Sequence, residues 1–502
     1  MLLGVGAQAQ DKVVKQVIEM GTNDNRTMQH IDFLSNRIGG RLLGSYALTQ
    51  AEEWVKDQFE SWGVEVMVQE VGEMAVGFNR GPWFGRMLSE DGMVLHFATP
   101  SYTAGTKGPQ KGHVVLEPRT REEFERMKGL LKGAWVLLEA PGSGSGLNYS
   151  ASADSLRAAA IESDTEVRKE NIEIIKYNKE HPDSPKKLKK LSNRACLFYR
   201  EMIEAGVLGF IRSAEVPITS QYDAGCKTLT FDNLPTACDI LLDYRQFDII
   251  KKKVKAYDDF LLEFDIRNHF SKGPVKYHNI IGVIRGSKYP DETVLLGGHL
   301  DAFDTATGSV DDAQGLSVAM EAARLLSAAG AKPKRTMMFC IWTGEEFGLY
   351  GSRYFCENKT VNMDKIVNYF NRDGGPLMAT SITVPPAMYD DFVKVCKPIE
   401  NYVENVGFKV IKREGPARSH NVRGGGSDHA YFVKAAAPAI GFTCTDLYGY
   451  NFKYGEIWHT ERDRYDRVFP EYLEPTSVIS AVVAYGLANL DHNLSREDLY
   501  SD

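Results

Sequence analysis

The fold is decided by residues 292–342, which contain the segments ETVLLGGHLD (292–301), GLSVAMEAARLLSAAG (315–330) and TMMFCIW (336–342). The first and third segments are short apolar runs with the length of buried strands. The middle segment carries apolar residues at helical spacing and ends at a glycine, which commonly stops a helix. A strand, a helix and a second strand in this order predict a βαβ unit with two parallel strands.

The same alternation continues on both sides of this unit. Strands are predicted at NIIGVIRG (279–286), KIVNYFNRD (365–373) and PAIGFT (438–443), and a final helix at VISAVVAYGLANL (478–490). We therefore predict an α/β fold with a doubly wound, largely parallel sheet. Sheets of this kind bind ligands at the carboxyl ends of their strands.

Composition divides the 502 residues into four segments. Residues 1–24 are predicted to be an N-terminal segment with a signal remnant, because MLLGVGAQA combines an apolar patch with an A-x-A pattern at Ala7 and Ala9. Residues 25–99 and 256–502 are predicted to form one domain in two parts, and residues 100–255 an insertion with short strands at 112–117, 134–139 and 207–212. The signal remnant predicts a secreted or periplasmic protein.

The insertion contains a highly charged stretch, Ser163–Arg194. Its isoleucines and leucines predict one or two surface helices, which Pro182 and Pro185 interrupt. A charged run of this kind usually forms a solvated face, so we expect no binding role from it.

The bulk composition excludes several classes of protein. The formal net charge of −8 does not favour binding to nucleic acid or to an anionic membrane surface. No apolar run reaches the roughly 18–20 residues that span a bilayer. The seven cysteines include no C-x-x-C pair, so a zinc finger is not expected, and at most a disulfide such as Cys226–Cys238 is predicted.

Acidic and imidazole side chains follow the predicted strands. They are His299 and Asp301 after the strand at 292, Glu345 and Glu346 after TMMFCIW, Asp373 after KIVNYFNR, Asp311 and Asp312 before the helix at 315, and His459 in IWHTERD. If the sheet is parallel, most of these side chains meet at one end of the sheet, where the strands have their carboxyl ends. That many carboxylates in one place repel each other strongly unless a cation balances them.

Two histidines and at least three carboxylates exceed the needs of one tetrahedral zinc ion. They suit two zinc ions roughly 3.5–4 Å apart with a bridging carboxylate. One glutamate of the adjacent pair is then available as a general base that takes a proton from the attacking water. On spacing alone, Glu345 and Glu346 divide into a base and a ligand in an order that stays open.

The motifs around these residues resemble those of the M28 family of di-zinc exopeptidases. They are GGHLDAFDTATGSVDDAQG (297–315), WTGEEFGLYGS (342–352), NRDGG (371–375), GGSDHAYF (425–432) and IWHTERD (457–463). The resemblance implies a zinc-exopeptidase fold in which residues 100–255 form an inserted, β-rich protease-associated domain that narrows access to the cleft. It also implies a homodimer.

The resemblance further implies a role for each residue of the constellation. His299 and Asp373 are expected to bind one zinc ion, and Asp301 to orient the imidazole of His299. Asp311, and not Asp312, is expected to bridge both ions, with a cis peptide bond after it. Glu346 and His459 are expected to bind the second zinc ion, and Glu345 to be the general base.

The expected substrates are short peptides or dipeptides. His429 is expected to contact substrate or support the ligands. The aromatic residues Tyr448, Tyr450, Phe452 and Tyr454 are expected either to line a side-chain pocket or to pack within their loop. A free substrate carboxylate would need a cation, for which Arg418, Arg423 and Lys453 are candidates. The resemblance favours a carboxypeptidase acting on dipeptides, and His429 keeps an aminopeptidase open as the alternative. His278 and His420 are expected to be structural.

Two remote alternatives belong to other classes on the same fold. One is a receptor-like protein without catalysis, and the other is a single-zinc cyclase. The number of zinc ions per chain separates these alternatives: two for the peptidase, one for the cyclase and none for the receptor.

Overall fold

The structure, a computed structural model, describes residues 2–89, 92–403, 407–421 and 426–501, with side chains from residue 10 onward. The chain divides into two units: unit 1 comprises Met1–Met74 and Pro274–Asp502, and unit 2 comprises Ala75–Gly273. The boundaries predicted for the insertion, 100 and 255, both fall inside unit 2. Its assignment as a protease-associated domain stays a prediction.

Unit 1 begins with three helices. They are α1 (Leu2–Asn23), α2 (Thr27–Asp32) and α3 (Tyr46–Ser61), and β1 (Glu65–Leu88) then leads into unit 2. Val13, Val14 and Val17 of α1 are buried, and a Cβ at Gly21 would lie 2.2 Å from Cγ2 of Val478 near the end of the chain. The second half of α1 is therefore packed into unit 1, although residues 1–24 were expected to be a separate segment. The predicted cleavage pattern at Ala7 and Ala9 lies where side chains are not described.

Unit 2 is a mixed α/β layer. Its elements are β2 (Phe97–Ala98), β3 (Gln110–Gly112), β4 (Val114–Leu116), α4 (Arg121–Leu131), β5 (Trp135–Leu137), α5 (Ala151–Glu180), α6 (Tyr199–Glu204), β6 (Gly209–Ala214), β7 (Cys238–Asp243) and α7 (Tyr244–Ala256), and β8 (Leu261–Ile284) leads back to unit 1. The sheet order is β2-β7-β6-β5-β4, and β4 to β7 run parallel. Parallel neighbours need long crossovers, which here include α4, α5 and α6, so the unit is not the β-rich domain that was expected.

The charged stretch forms a single helix followed by an extended segment. α5 ends at Glu180, before Pro182, as the proline predicts. The extended segment runs back along α5, because the side-chain amide of Asn178 both donates to and accepts from the backbone of Lys186, and Asn171 does the same with Lys189. Asn171 and Asn178 are seven helical residues apart, a rise of about 10.5 Å, and Lys186 and Lys189 are three extended residues apart, about 9.3 Å. Because the two distances are similar, both asparagines can bond to the segment at once.

The rest of unit 1 contains the predicted βαβ unit. The βαβ unit consists of β9, α8 and β10. The elements of this second part of unit 1 are β9 (Tyr289–His299), α8 (Gln314–Ala328), β10 (Arg335–Trp342), α9 (Tyr350–Glu357), β11 (Ile366–Asn371), β12 (Met378–Val384), α10 (Tyr389–Cys396), β13 (Lys409–Lys412), β14 (Arg418–Ser419), α11 (His429–Lys434), β15 (Phe442–Thr445), α12 (Pro470–Ala488) and β16 (Tyr500–Ser501). Every residue of β10 is buried, which explains the continuous apolar run from Met337 to Trp342. The prediction of a strand, a helix and a strand over 292–342 is confirmed.

The main sheet of unit 1 is mixed, and the expectation of a largely parallel sheet was wrong in this respect. In the order β1-β8-β10-β9-β11, the strands β9, β10 and β11 are parallel, whereas β8 is antiparallel to β10. The connection 285–288 is too short for a crossover, so β9 must start at the same end of the sheet at which β8 ends. The predicted strand at 438–443 begins later, at Phe442, and belongs to a separate sheet with the order β13-β12-β15.

The seven cysteines are free thiols, so the Cys226–Cys238 disulfide does not form in this structure. Over the described residues, every helix is too short or too polar to cross a lipid bilayer.

Candidate active site

The carboxyl ends of the parallel strands carry most of the predicted site residues. His299 is the last residue of β9 and pairs with Trp342, the last residue of β10. Glu345 follows β10 by a tight turn, and Asp373 follows β11. Because these strands are parallel neighbours, their carboxyl ends lie at the same end of the sheet, and all three side chains meet there.

The site residues form two clusters, each with ligand atoms within 4.8 Å of one another. The first contains His299, Glu345 and Asp373, and the second contains Asp311, Glu346 and His459. Asp311 lies between the two clusters. Its Oδ1 is 3.2 Å from Nε2 of His299, and its Oδ2 is 3.6 Å from Nε2 of His459. The Asp311–Asp312 peptide bond is cis, in agreement with the expectation.

The unpaired atoms of this site fit a metal centre. Nε2 of His299 and Oδ2 of Asp311 are buried and have no hydrogen-bond partner with acceptable geometry. Buried polar atoms normally have such a partner, and these atoms are of the types that bind divalent metals. Two imidazoles and four carboxylates form a donor set that suits zinc.

Charge and burial in the site also favour a cation. Burial raises the pKa of Glu345 to about 9, and the neighbouring Asp428 and Asp373 add to the effect. The pKa of Glu346 is raised well above its usual value by burial, and further by Asp311 and Glu345. Burial lowers the pKa of His459 to about 4, so its imidazole is neutral and can act as a ligand. A divalent cation offsets both the burial and the repulsion of the carboxylates.

Asp301 holds the adjacent glutamates in place. Its carboxylate accepts hydrogen bonds from the backbone N–H groups of Glu345 at 3.0 Å and Glu346 at 3.1 Å. Its backbone carbonyl lies 2.9 Å from Nδ1 of His299, whereas its carboxylate is 3.8 Å from the same nitrogen. A proton on Nδ1 leaves the lone pair of Nε2 directed at Asp311, which is the orientation that a metal ligand needs.

This geometry agrees with the comparisons between the chain and known proteins. Residues 279–483 match the family model described as Peptidase family M28. This part of the chain is similar to the M28 peptidases. The match contains every residue of the two clusters and extends into α12.

Relatives of the whole chain include carboxypeptidase Q. The protein from Mus musculus is 24% identical over 501 residues, which cover 97% of this chain and 91% of the relative. The protein from Homo sapiens is 28% identical over 223 residues, and the alignment covers 43% of each chain. A probable glutamate carboxypeptidase from Arabidopsis thaliana is 32% identical over 220 residues, 41% of this chain and 31% of the relative. The last two alignments therefore span less than two thirds of those relatives.

Solved structures show the same fold. A peptidase M28 precursor from Shewanella amazonensis gives a TM-score of 0.59 at 18% identity and covers 98% of this chain and 99% of its own. A zinc aminopeptidase from Bacillus subtilis gives a TM-score of 0.51 at 15% identity and covers 95% and 98%. At these identities the likeness establishes the fold and not the activity.

Two further carboxylates within residues 279–483 hold the loops that carry the cluster residues, and neither was assigned a role from the sequence. Asp463 accepts hydrogen bonds from the backbone N–H groups of Val310 at 2.7 Å and Asp311 at 3.2 Å. Asp312 accepts from the backbone N–H of His299 at 3.2 Å and of Gly315 at 3.1 Å. Each of these carboxylates therefore fixes the backbone of a cluster residue. The motifs SVDDAQG and IWHTERD contain both aspartates, so the sequence could have marked them as candidates, although not the backbone groups that they bind.

Arg41 supports the same loops through hydrogen bonds to their backbone carbonyls. It is fully buried, and its guanidinium donates to the carbonyls of Leu300 at 2.6 Å, Thr307 at 3.0 Å and Gly308 at 2.9 Å. Burial lowers its pKa to about 10, although the negative charges of Asp463 and Asp301 oppose this shift. The arginine therefore remains a cation and ties the segments after β9 to the loop before α8.

The predicted substrate residues lie at different distances from the clusters. Tyr448 stacks on Tyr472 with ring centroids 5.3 Å apart, and both Tyr448 and Tyr450 are exposed. The hydroxyl of Tyr454 is 3.5 Å from Oδ1 of Asp373, so this tyrosine is the one that reaches the site. A substrate role for Tyr448 and Tyr450 stays a prediction.

His429 begins α11 directly after the fully buried Asp428. Burial lowers the pKa of His429, and the positive charge of Arg418 adds to this effect. Asp428, in contrast, interacts electrostatically with His299 and Asp373 of the first cluster. His429 stays a candidate for substrate contact, and Arg423 lies outside the described residues.

Proposed function

We propose that this protein is a zinc-dependent exopeptidase that hydrolyses short peptides or dipeptides, similar to carboxypeptidase Q. The observation that carries the proposal is the position of Asp311, whose two carboxylate oxygens face the imidazoles of the two clusters. This is the arrangement of a bridging ligand in a two-metal site. The M28 family match, the carboxypeptidase Q relatives and the zinc aminopeptidase fold support it.

The proposed metal centre holds two zinc ions. His299 and Asp373 would bind one ion, His459 and Glu346 the other, and Asp311 both. When bound, the ions would polarise the scissile carbonyl and activate a water molecule for attack. Glu345 lies within the first cluster and is not needed as a ligand in this arrangement, which leaves it available as the base.

The residues around the centre carry out the proton transfer. Glu345 would take a proton from the attacking water and then pass a proton to the leaving amine. Asp301 fixes the backbone of Glu345, which limits the positions that the carboxylate of this base can take. The hydroxyl of Tyr454, beside Asp373, is a donor that can approach the oxygen on which negative charge develops.

Two measurements test the proposal. Metal analysis of active protein should find close to two zinc ions per chain, since one ion would favour the cyclase alternative and none the receptor-like alternative. A panel of dipeptides with free or blocked ends should be hydrolysed with zinc and not with a chelator. Blocking the carboxyl end should abolish activity if the enzyme is a carboxypeptidase, whereas blocking the amino end should do so if it is an aminopeptidase.

The remaining expectations about the whole protein are also proposals. We infer a secreted or periplasmic location from the N-terminal segment, a homodimer from the family resemblance, and a protease-associated role for unit 2. Cell fractionation, light scattering of the purified chain and the activity of a variant without unit 2, residues 75–273, would test them in turn.

A further inference from the structure

One half-exposed tryptophan lies directly against a ligand of the proposed metal centre. The ring of Trp458 stacks on the imidazole of His459, with centroids 4.0 Å apart and an angle of 28° between the ring planes. Nε2 of the same imidazole is 2.9 Å from Oε2 of Glu346, so the indole lies beside the second cluster. Trp458 is nevertheless 48% exposed. A large apolar ring is therefore open to solvent next to the proposed reaction centre.

The backbone holds this tryptophan in a fixed position. The N–H groups of Ile457 and Trp458 both donate to the carbonyl of Tyr454, at 3.0 and 2.9 Å. The N–H of Thr460 donates to the carbonyl of Ile457 at 2.9 Å. Ile457 and Thr460 are buried on either side of the exposed residue. An aromatic side chain on an anchored turn loses little conformational entropy when another molecule covers it.

The conformation of His459 accompanies the stacking of these two consecutive rings. His459 has a φ of 57°, in the left-handed region that few residues other than glycine adopt. Backbone of this kind is concentrated at active sites and at sites that hold ligands. Phe303 contacts the same imidazole edge to face, with centroids 4.7 Å apart. The imidazole is therefore held by two aromatic side chains, of which Phe303 is buried and Trp458 is open to solvent.

The same loop also reaches the first cluster. The hydroxyl of Tyr454 is 3.5 Å from Oδ1 of Asp373, and a Cβ at Gly375 would lie 2.8 Å from Cε1 of Phe452. Residues 452–459 therefore extend from the first cluster to the second. A peptide whose carbonyl reaches the second cluster has the exposed indole of Trp458 beside it.

We propose that Trp458 is a specificity-determining residue that binds an apolar side chain of the substrate next to the scissile bond. The inference rests on the proposed exopeptidase function and specifies its substrate: a peptide with a large apolar or aromatic residue on one side of that bond. The indole offers a flat apolar surface whose removal from water is favourable, and aromatic side chains gain further from stacking on it.

This assignment differs from the side-chain pocket that the sequence predicts at Tyr448 and Tyr450. Both of these tyrosines pack against Tyr472, with ring centroids 5.3 Å apart. Trp458, in contrast, contacts a residue of the second cluster itself. The two locations make different predictions for single substitutions.

The test compares three dipeptides in the zinc-loaded enzyme. Ala-Ala is the reference, and Phe-Ala and Ala-Phe place an aromatic side chain on one or the other side of the scissile bond. The wild type should hydrolyse one of these two with a kcat/KM at least about tenfold higher than that of Ala-Ala. Trp458→Ala should abolish this preference, whereas Trp458→Phe, which keeps an aromatic ring, should retain part of it.

Two other exposed aromatic residues provide matched controls. Tyr448→Ala should keep the preference of the wild type for the aromatic substrate. Tyr257→Ala, at a residue of unit 2 that is 95% exposed, should behave as the wild type on all three dipeptides. If Trp458→Ala binds less zinc, the ratio of its kcat/KM values still decides, because the fraction of loaded enzyme scales the rates on all three substrates alike.

Three results would overturn the inference. The first is a wild type without preference for either phenylalanine dipeptide over Ala-Ala. The second is a Trp458→Ala variant that slows all three dipeptides by the same factor, since Trp458 would then act on His459 and not on the substrate. The third is a preference that Tyr448→Ala removes and Trp458→Ala retains. Hydrolysis of none of the dipeptides would contradict the proposed function itself, and the inference would fall with it.

Discussion

The carboxylate of Asp463 accepts a hydrogen bond from the backbone N–H of Asp311 at 3.2 Å. Asp463 follows His459 on the same loop, so it joins the segment of one cluster ligand to the segment of the residue between the clusters. Its backbone carbonyl also accepts from the N–H of Thr307 at 3.1 Å. The separation of His459 and Asp311 therefore depends on a residue that is not a ligand itself.

Replacement of Asp463 by asparagine should weaken zinc binding. Asparagine can accept only one of the two backbone hydrogen bonds, and its NH₂ group would face the second N–H. Loss of an outer partner of a metal ligand typically lowers metal affinity by about 10–100-fold. We expect this loss in a chelator competition assay, while Asp466→Asn, an exposed change in the same loop, should leave the affinity unchanged. An unaltered affinity of the Asp463→Asn variant would show that Asp311 is held by other contacts.

Replacement of Glu345 by glutamine should separate catalysis from metal binding. Glutamine keeps the size of the side chain and the backbone hydrogen bond to Asp301, but it cannot take a proton. We expect kcat to fall by about 10²–10⁴-fold with the zinc content unchanged. Glu357→Gln, at an exposed glutamate on α9, is the matched control. Near-normal turnover of Glu345→Gln would mean that another group is the base.

The meeting of the acidic and imidazole side chains could be predicted because strand ends are visible in sequence. His299 and Glu345 follow apolar runs, and the parallel pairing of β9 with β10 brings them to the same end of the sheet. The role of Asp463 could not be predicted in the same way, since it acts through backbone N–H groups about 150 positions away, and hydrogen bonds to the backbone leave no pattern in the sequence of the donor loop. Distant backbone contacts of this kind are set by tertiary packing alone.

The directions of the strands in unit 2 also could not be predicted from the sequence. Its short strands were found near 112–117, 134–139 and 207–212, but their parallel pairing was not, because a three-residue strand such as Trp135–Leu137 has no periodicity that distinguishes the two directions. The antiparallel position of β8 in the main sheet was missed for a related reason. Its apolar sequence fits a buried strand in either orientation, and only the short link at 285–288 decides it.

Removal of the amides of Asn171 and Asn178 should release the extended segment from α5. Each asparagine makes two hydrogen bonds to the backbone of that segment, which contains four lysines at positions 186, 187, 189 and 190. A double change to alanine should accelerate trypsin cleavage at these lysines by about tenfold, because exposed hydrogen bonds contribute about 0.5–1.5 kcal/mol each. Glu173→Ala, an exposed change on the same helix, should not alter cleavage. Equal cleavage rates in both variants would show that the asparagines do not hold the segment.

Asp243 should make the stability of unit 2 depend on pH at the acid end. Its buried carboxylate accepts from the side chain and the backbone N–H of Arg245, and this pairing lowers the pKa of Asp243 to about 2 although burial opposes the shift. A folded-state pKa below the unfolded value stabilises the fold above about pH 4, and the contribution is lost as the pH falls toward 2. Asp243→Asn keeps an acceptor at the start of α7 but removes the charge. Because Arg245 is largely exposed, we expect a loss of only about 1–2 kcal/mol at pH 7. Urea titrations at pH 7, 5, 4 and 3 should show the gap between the variant and the wild type narrowing below pH 4. Asp248→Asn, an exposed change on α7, should show no such gap, and a gap for Asp243→Asn that stayed constant with pH would mean that packing and not charge causes the loss.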